Sequence, residues 1–137
     1  MTYHTILLLA IFFNLSSCTQ NESEKSLIGK WLIEEYKIKF LPSKVDNERL
    51  DYEIDKLKRN SYFIFFPNFD YEIRMNEMKE KGKWKINTGK KKLSLIQDKS
   101  HEEKLLNIDS LGSKVIIITG KWDSLQTQIK LKKSKNL

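Results

Sequence analysis

Bond-making chemistry needs a nucleophile beside a base, paired carboxylates, or a set of metal ligands. The 137-residue chain has two His and one Cys. His4 and Cys18 lie in the first eighteen residues, so His101 is the imidazole of everything that follows. It stands in a charged loop that also holds Asp98, Glu102 and Glu103. Those four side chains could serve as metal ligands, but their spacing matches no closed site, so they read as solvated loop charge. Glu34 and Glu35 are neighbours on a predicted strand and point to opposite faces, so they cannot share one substrate. There is no Gly-rich phosphate loop. The reading is therefore a protein that is not an enzyme, with no catalytic residue, no metal and no cofactor assigned.

The elements that remain must build a core. The composition is 39% hydrophobic and 31% charged, with 5 Gly and 2 Pro. This suits one globular domain and excludes a collagen, a disulfide-dense mini-protein or a wholly disordered chain. Twenty-five basic residues against 18 acidic ones give +7. The only arginines are Arg49, Arg59 and Arg74, and the rest of the positive charge is lysine. Readers of nucleic acid favour Arg, whose planar fork pairs bidentately with guanine and phosphate. A lysine excess spread along the chain reads as a solvated surface, and no nucleic-acid partner is expected.

Residues 6–13 are an unbroken apolar run, ILLLAIFF. A membrane span needs about 20 residues, so this run has the length of a secretory signal core instead. Leu15-Ser16-Ser17-Cys18 follows. The tetrapeptide resembles the lipobox of bacterial lipoproteins. The resemblance implies cleavage before Cys18, a diacylglycerol on its sulfur, and a membrane contact made through that lipid anchor. It divides the chain into a signal over 1–17, a lipidated Cys18 with a polar tether over 18–26, a folded domain over 27–133 and a basic tail over 134–137. A buried helix with a core cysteine is the bland alternative. A lone Cys cannot form an internal disulfide, and acylation would remove an otherwise exposed thiol. The acidic stretch after Cys18 resembles the surface-export signal of Bacteroidetes lipoproteins. The expected location is the bacterial outer membrane, with the face left open.

From Leu27 onward, short apolar runs alternate with polar turns. Residues 29–40 predict a long strand with apolar residues on both faces. Trp31 and Ile33 lie on one, and Leu32, Tyr36, Ile38 and Phe40 on the other. The change of face near Glu34-Glu35 predicts a bulge. Asp46 is placed to cap a helix, and Leu50, Ile54 and Leu57 follow at i, i+4 and i+7, predicting a short helix over 48–58. Further strands are predicted over 61–66, 69–75, 83–87, 92–97, 104–111, 114–119 and 126–132, with 77–81 read as a charged turn. Short connections make neighbouring strands antiparallel. The expected fold is all-β: an eight-stranded antiparallel up-and-down barrel with a short helix between strands 1 and 2.

Gly29-Lys30-Trp31 resembles the Gly-x-Trp opening of lipocalins. Tyr62-Phe63-Ile64-Phe65 before Pro67-Asn68-Phe69, and Gly82-Lys83-Trp84-Lys85-Ile86, are similar to strands of the small lipocalin-like domains on bacterial lipoproteins. The likeness covers about residues 27–133 and implies a lipocalin-like barrel. Gly-Lys-Trp recurs at 29–31, 82–84 and 120–122. At each site Gly permits close approach and Trp plugs the core beside it. Gly29 and Trp31 are read as a structural signature that closes one end.

An eight-stranded barrel is just wide enough to be filled by side chains or to hold one small ligand. Tyr36, Phe63, Phe65, Tyr71, Ile73, Trp84, Ile86, Ile117 and Ile129 are the candidate lining. Two functions stay open. One is a membrane-anchored carrier of a small apolar or amphipathic ligand. The other is a non-catalytic envelope module with a filled barrel and a protein or glycan partner. The alternating lysines at the C-terminus read as the wet face of the last strand, or as an attraction to anionic headgroups or glycans beside the anchor.

Overall fold

The computed structural model describes residues 21–41 and 43–136. The signal segment, Cys18 and the start of the tether lie outside the described residues. Eight antiparallel strands close into one up-and-down barrel in chain order. They are β1 (Gly29–Ile38), β2 (Tyr62–Phe65), β3 (Asp70–Met75), β4 (Met78–Asn87), β5 (Lys92–Gln97), β6 (Glu103–Leu111), β7 (Val115–Trp122) and β8 (Leu125–Lys133). The first and last strands pair, so closure leaves no free sheet edge along most of the wall.

The predicted bulge is present: the β1–β8 register shifts between Ile33 and Glu35. It turns Tyr36 and Ile38 toward the side that Trp31 and Ile33 occupy below it, which is why β1 is apolar on both faces. Phe40 does not continue that face. The strand ends at Ile38, and Phe40, at φ 63, is 89% exposed.

Helix α1 (Glu22–Leu27) occupies part of the segment read as a polar tether. The Asn21 side chain accepts from Glu24 N at 2.8 Å, a cap that ends the extended approach. Leu27 is buried and carries α1 onto the barrel mouth. Helix α2 (Asn47–Asn60) lies between β1 and β2, capped by Asp46, whose Oδ1 accepts from Arg49 N at 3.2 Å. Up-and-down connectivity sends alternate connections to opposite ends. The α1 end holds the β2–β3, β4–β5 and β6–β7 connections. The α2 end holds β3–β4, β5–β6 and β7–β8.

One turn is shorter than the sequence predicts. Residues 77–81 are not a charged turn: β4 starts at Met78, and Met75 pairs with Met78 across Asn76-Glu77. Lys79 and Lys81 are the wet half of an alternation whose other half runs through Met78, Glu80, Gly82, Trp84 and Ile86. The two-residue Asp123-Ser124 turn has both φ positive, the geometry that matches a hairpin's twist.

Candidate functional site

The inward faces fill most of the barrel. At the α1 end Trp31 is fully buried, and its Nε1 donates to the Leu27 carbonyl at 2.7 Å. Lys133 reaches across the same mouth, 4.9 Å from the Trp31 ring centroid, and its Nζ donates to the Ser26 carbonyl at 3.0 Å. Burial holds its ammonium pKa below the usual lysine value. Trp84 packs edge-on against Phe65, meets Phe69, and donates to the Phe66 carbonyl at 3.1 Å. Leu93, Leu95, Leu106, Ile116, Ile118 and Leu131 complete the plug.

The α2 end is different. The β6–β7 ladder stops at Asn107↔Thr119, although β6 begins at Glu103 and β7 runs on to Trp122. The two strands part toward this end. A cavity of about 600 Å³, the cup, occupies the gap and the adjoining mouth. Ile73, Met75, Met78 and Trp122 give it an apolar floor, and Glu80, Lys104 and Gln97 line it with polar groups. A second cavity of about 430 Å³ lies under α2 against Tyr36, Ile38, Leu50, Ile54 and Leu57. Met75, Met78 and Asp123 belong to both, so the two adjoin.

The polar corner of the cup is ordered. The Tyr71 hydroxyl donates to Glu80 Oε1 at 2.5 Å. Burial, and then that carboxylate, push the phenol well above its ordinary range, so it stays a donor. Lys104 Nζ lies 3.8 Å from Glu80 Oε2 and 3.8 Å from the Trp122 ring centroid. A partly covered carboxylate, an ammonium and an indole thus meet beside an apolar floor. In the second cavity, Asn76 Oδ1 is a buried acceptor with no hydrogen-bond partner among the described residues.

The predicted lining separates into three groups. Ile73 lines the cup, and Tyr36 the cavity under α2. Phe63, Phe65, Tyr71, Trp84, Ile86 and Ile129 are buried in the core, with Gly29 and Trp31 at the α1 end. Ile117 has to be corrected. It is half-buried on the outward face, and Ile116 and Ile118 point inward instead. The physical reason is that β7 is apolar on both faces, so period two alone does not choose its register. Glu80 and Lys104 escape the sequence reading, Glu80 because residues 77–81 read as a charged turn. The signal was present: each is a charge at an inward position of an alternating strand. In the His101 loop, His101 is exposed at φ 57, while Glu102 and Glu103 reach the rim of the cup.

No family model matches the chain, and no curated protein matches it. Among solved structures, the chain is similar to the crystal structure of a DUF4847 family protein from Bacteroides vulgatus. The TM-score is 0.56 at 11% sequence identity, over 84% of this chain and 99% of that one. At that identity the likeness is one of fold.

Proposed function

We propose that this protein is a membrane-anchored, lipocalin-like lipoprotein that binds a small amphipathic ligand at the bacterial envelope. The ligand site is the cup at the α2 end rather than the barrel axis. One observation carries this reading: the apolar stripe of α2 faces a cavity. Leu50, Ile54 and Leu57 are only half-buried, and no residue of α2 is fully buried. A 14-residue helix is normally held by burying such a stripe. Here a ligand's apolar part would complete that burial, and its polar head would meet Lys104 and Glu80. Ligand pockets commonly run from about 300 to 1,000 Å³, apolar with a few placed polar groups.

Native mass spectrometry of the protein purified gently from its own membrane fraction tests the ligand reading. The expected result is a reproducible added mass that denaturation releases. Met75→Trp, which places an indole where the two cavities meet, should remove that mass while the protein stays folded. A bare polypeptide mass, with no uptake of added fatty acids, would overturn the ligand reading.

That outcome would favour the second reading, an interaction module with a protein or glycan partner. It is supported by the aromatic plug and by apolar side chains exposed at the α2 end, among them Phe40, Leu41, Tyr52, Met78 and Leu125. The anchor is tested separately. Cys18→Ala should abolish labelling by a radioactive fatty acid and prevent signal cleavage before residue 18. Normal lipid labelling of that variant would sink the lipobox reading.

A further inference from the structure

The net charge of +7 is not spread evenly over the barrel. At the α1 end, the three connections between strands carry Lys90, Lys91 and Lys114 and no carboxylate. At the α2 end, the β3–β4, β5–β6 and β7–β8 connections carry Glu77, Asp98, Glu102 and Asp123 against Lys99. The last strand adds to the basic end, with Lys132 and Lys133 closing β8 and Lys135 just beyond it.

These pieces form one surface. Lys133 N donates to the Lys114 carbonyl at 2.8 Å, and Ser134 N to the Lys30 carbonyl at 2.8 Å. Lys133 Nζ ties the same corner to α1 through Ser26. Lys90, Lys91, Lys114, Lys132 and Lys135 are exposed. None of them forms a salt bridge among the described residues, whereas Lys79, Lys81, Lys83, Lys104 and Lys130 do. The acidic residues nearest this end are few: Glu22 and Glu24 in α1, and Asp70, which is held by Lys83.

We propose that the α1 end is a docking surface for an anionic phospholipid headgroup layer, which sets the barrel with its α2 end, and the cup, away from the bilayer. Two features favour lipid over another polyanion. The five exposed ammonium groups sit on turns and a strand end at one pole, which suits a plane of charge rather than a groove for a chain. The described chain also begins at this pole. Asn21 is three residues after Cys18, which is at most about 11 Å of extended chain, so an acyl group on Cys18 would enter the bilayer beside these lysines. The choice of lipid rests on the anchor reading and is independent of the ligand reading. Near an anionic surface each lysine strengthens attachment roughly fivefold at low salt, and the effect fades within a Debye length.

The test uses the full protein, purified from its membrane fraction and mixed with phosphatidylcholine vesicles with or without phosphatidylglycerol. An amine-reactive reagent then reads the labelling rate of each lysine by mass spectrometry. Lys90, Lys91, Lys114, Lys132 and Lys135 should label about fivefold more slowly on the anionic vesicles, and high salt should restore their rate. Lys39, Lys99 and Lys121 should label equally on both. A variant with Lys90→Gln, Lys91→Gln, Lys114→Gln and Lys135→Gln should lose the anionic-lipid dependence. Lys39→Gln, Lys44→Gln, Lys99→Gln and Lys121→Gln together remove the same charge and should keep it.

Equal effects of the two variants would reduce the finding to net charge and overturn the proposal. So would unprotected α1-end lysines on anionic vesicles, or protection by a soluble acidic polysaccharide but not by vesicles. The ligand-mass measurement is unaffected by any of these outcomes, so this proposal and the carrier reading fail separately.

Discussion

Trp31→Ala should destabilise the barrel by about 4 kcal/mol, the cost of truncating a fully buried aromatic. Three losses combine at one position. The indole volume becomes a cavity at the α1 mouth. The Leu27 carbonyl loses the 2.7 Å hydrogen bond it accepts in a buried setting. Lys133 loses the ring beside its half-buried ammonium, although its bond to the Ser26 carbonyl still ties α1 to the barrel. Urea unfolding followed by circular dichroism gives the number. Trp31→Phe separates the contributions, because it keeps most of the ring and removes the N–H donor. It should cost about 1–2 kcal/mol from the donor alone. A loss below 1 kcal/mol for Trp31→Ala would mean that α1 and Trp31 do not close this end.

Gly82→Ala should cost about 3 kcal/mol, although it adds one methyl group. A Cβ at this position would press into the backbone carbonyl of Ile96 on β5 and lie 2.8 Å from Cε1 of Tyr71. The carbonyl belongs to the β4–β5 ladder and cannot swing aside without breaking it. Tyr71 pairs directly with Gly82 across β3–β4, so its ring lies over the glycine. Displacing that ring moves the hydroxyl that holds Glu80 at the cup. The variant should therefore weaken ligand retention in the molecules that still fold. Gly89→Ala is the matched control. Its nearest neighbour would be Asn87 Oδ1 at 3.7 Å, an ordinary contact, and its stability should change by less than about 0.5 kcal/mol. Equal costs for the two substitutions would refute the close-approach argument.

The recurring Gly-Lys-Trp triplet shows why local sequence carried so far. Trp31, Trp84 and Trp122 are all buried, and the lysine between Gly and Trp faces out or lies half-covered each time. Period-two alternation dictates that arrangement once the strand exists. Yet the three glycines serve different ends. Gly29 has φ +132, Gly82 yields to β5 and its own neighbour Tyr71, and Gly120 makes room for the Leu106 side chain. No property of the triplet distinguishes them, because the partner strand supplies the constraint.

The cup was less legible than the barrel for a related reason. Aromatic inward residues are the obvious lining in a sequence, and here they fill the plug. Phe65 and Trp84 pack against each other near the α1 end. The cavity exists because β6 and β7 stop pairing beyond Asn107↔Thr119 and because α2 rests on the mouth without burying a residue. Both are differences between elements distant in the chain, and neither leaves a local pattern.

The antiparallel all-β architecture, the bulge near Glu34-Glu35 and the helix capped by Asp46 are legible in the residues alone. Each follows from periodicity, turn chemistry or capping within a few residues, and such preferences act before any distant contact forms. Which face of β7 looks inward, that Glu80 and Lys104 meet beside Trp122, and that the lysines of three separate segments share one end are visible only in the folded barrel. Those outcomes depend on barrel closure. Closure fixes register and brings together residues that no local preference relates, and the energy that selects it is the burial of the whole core at once.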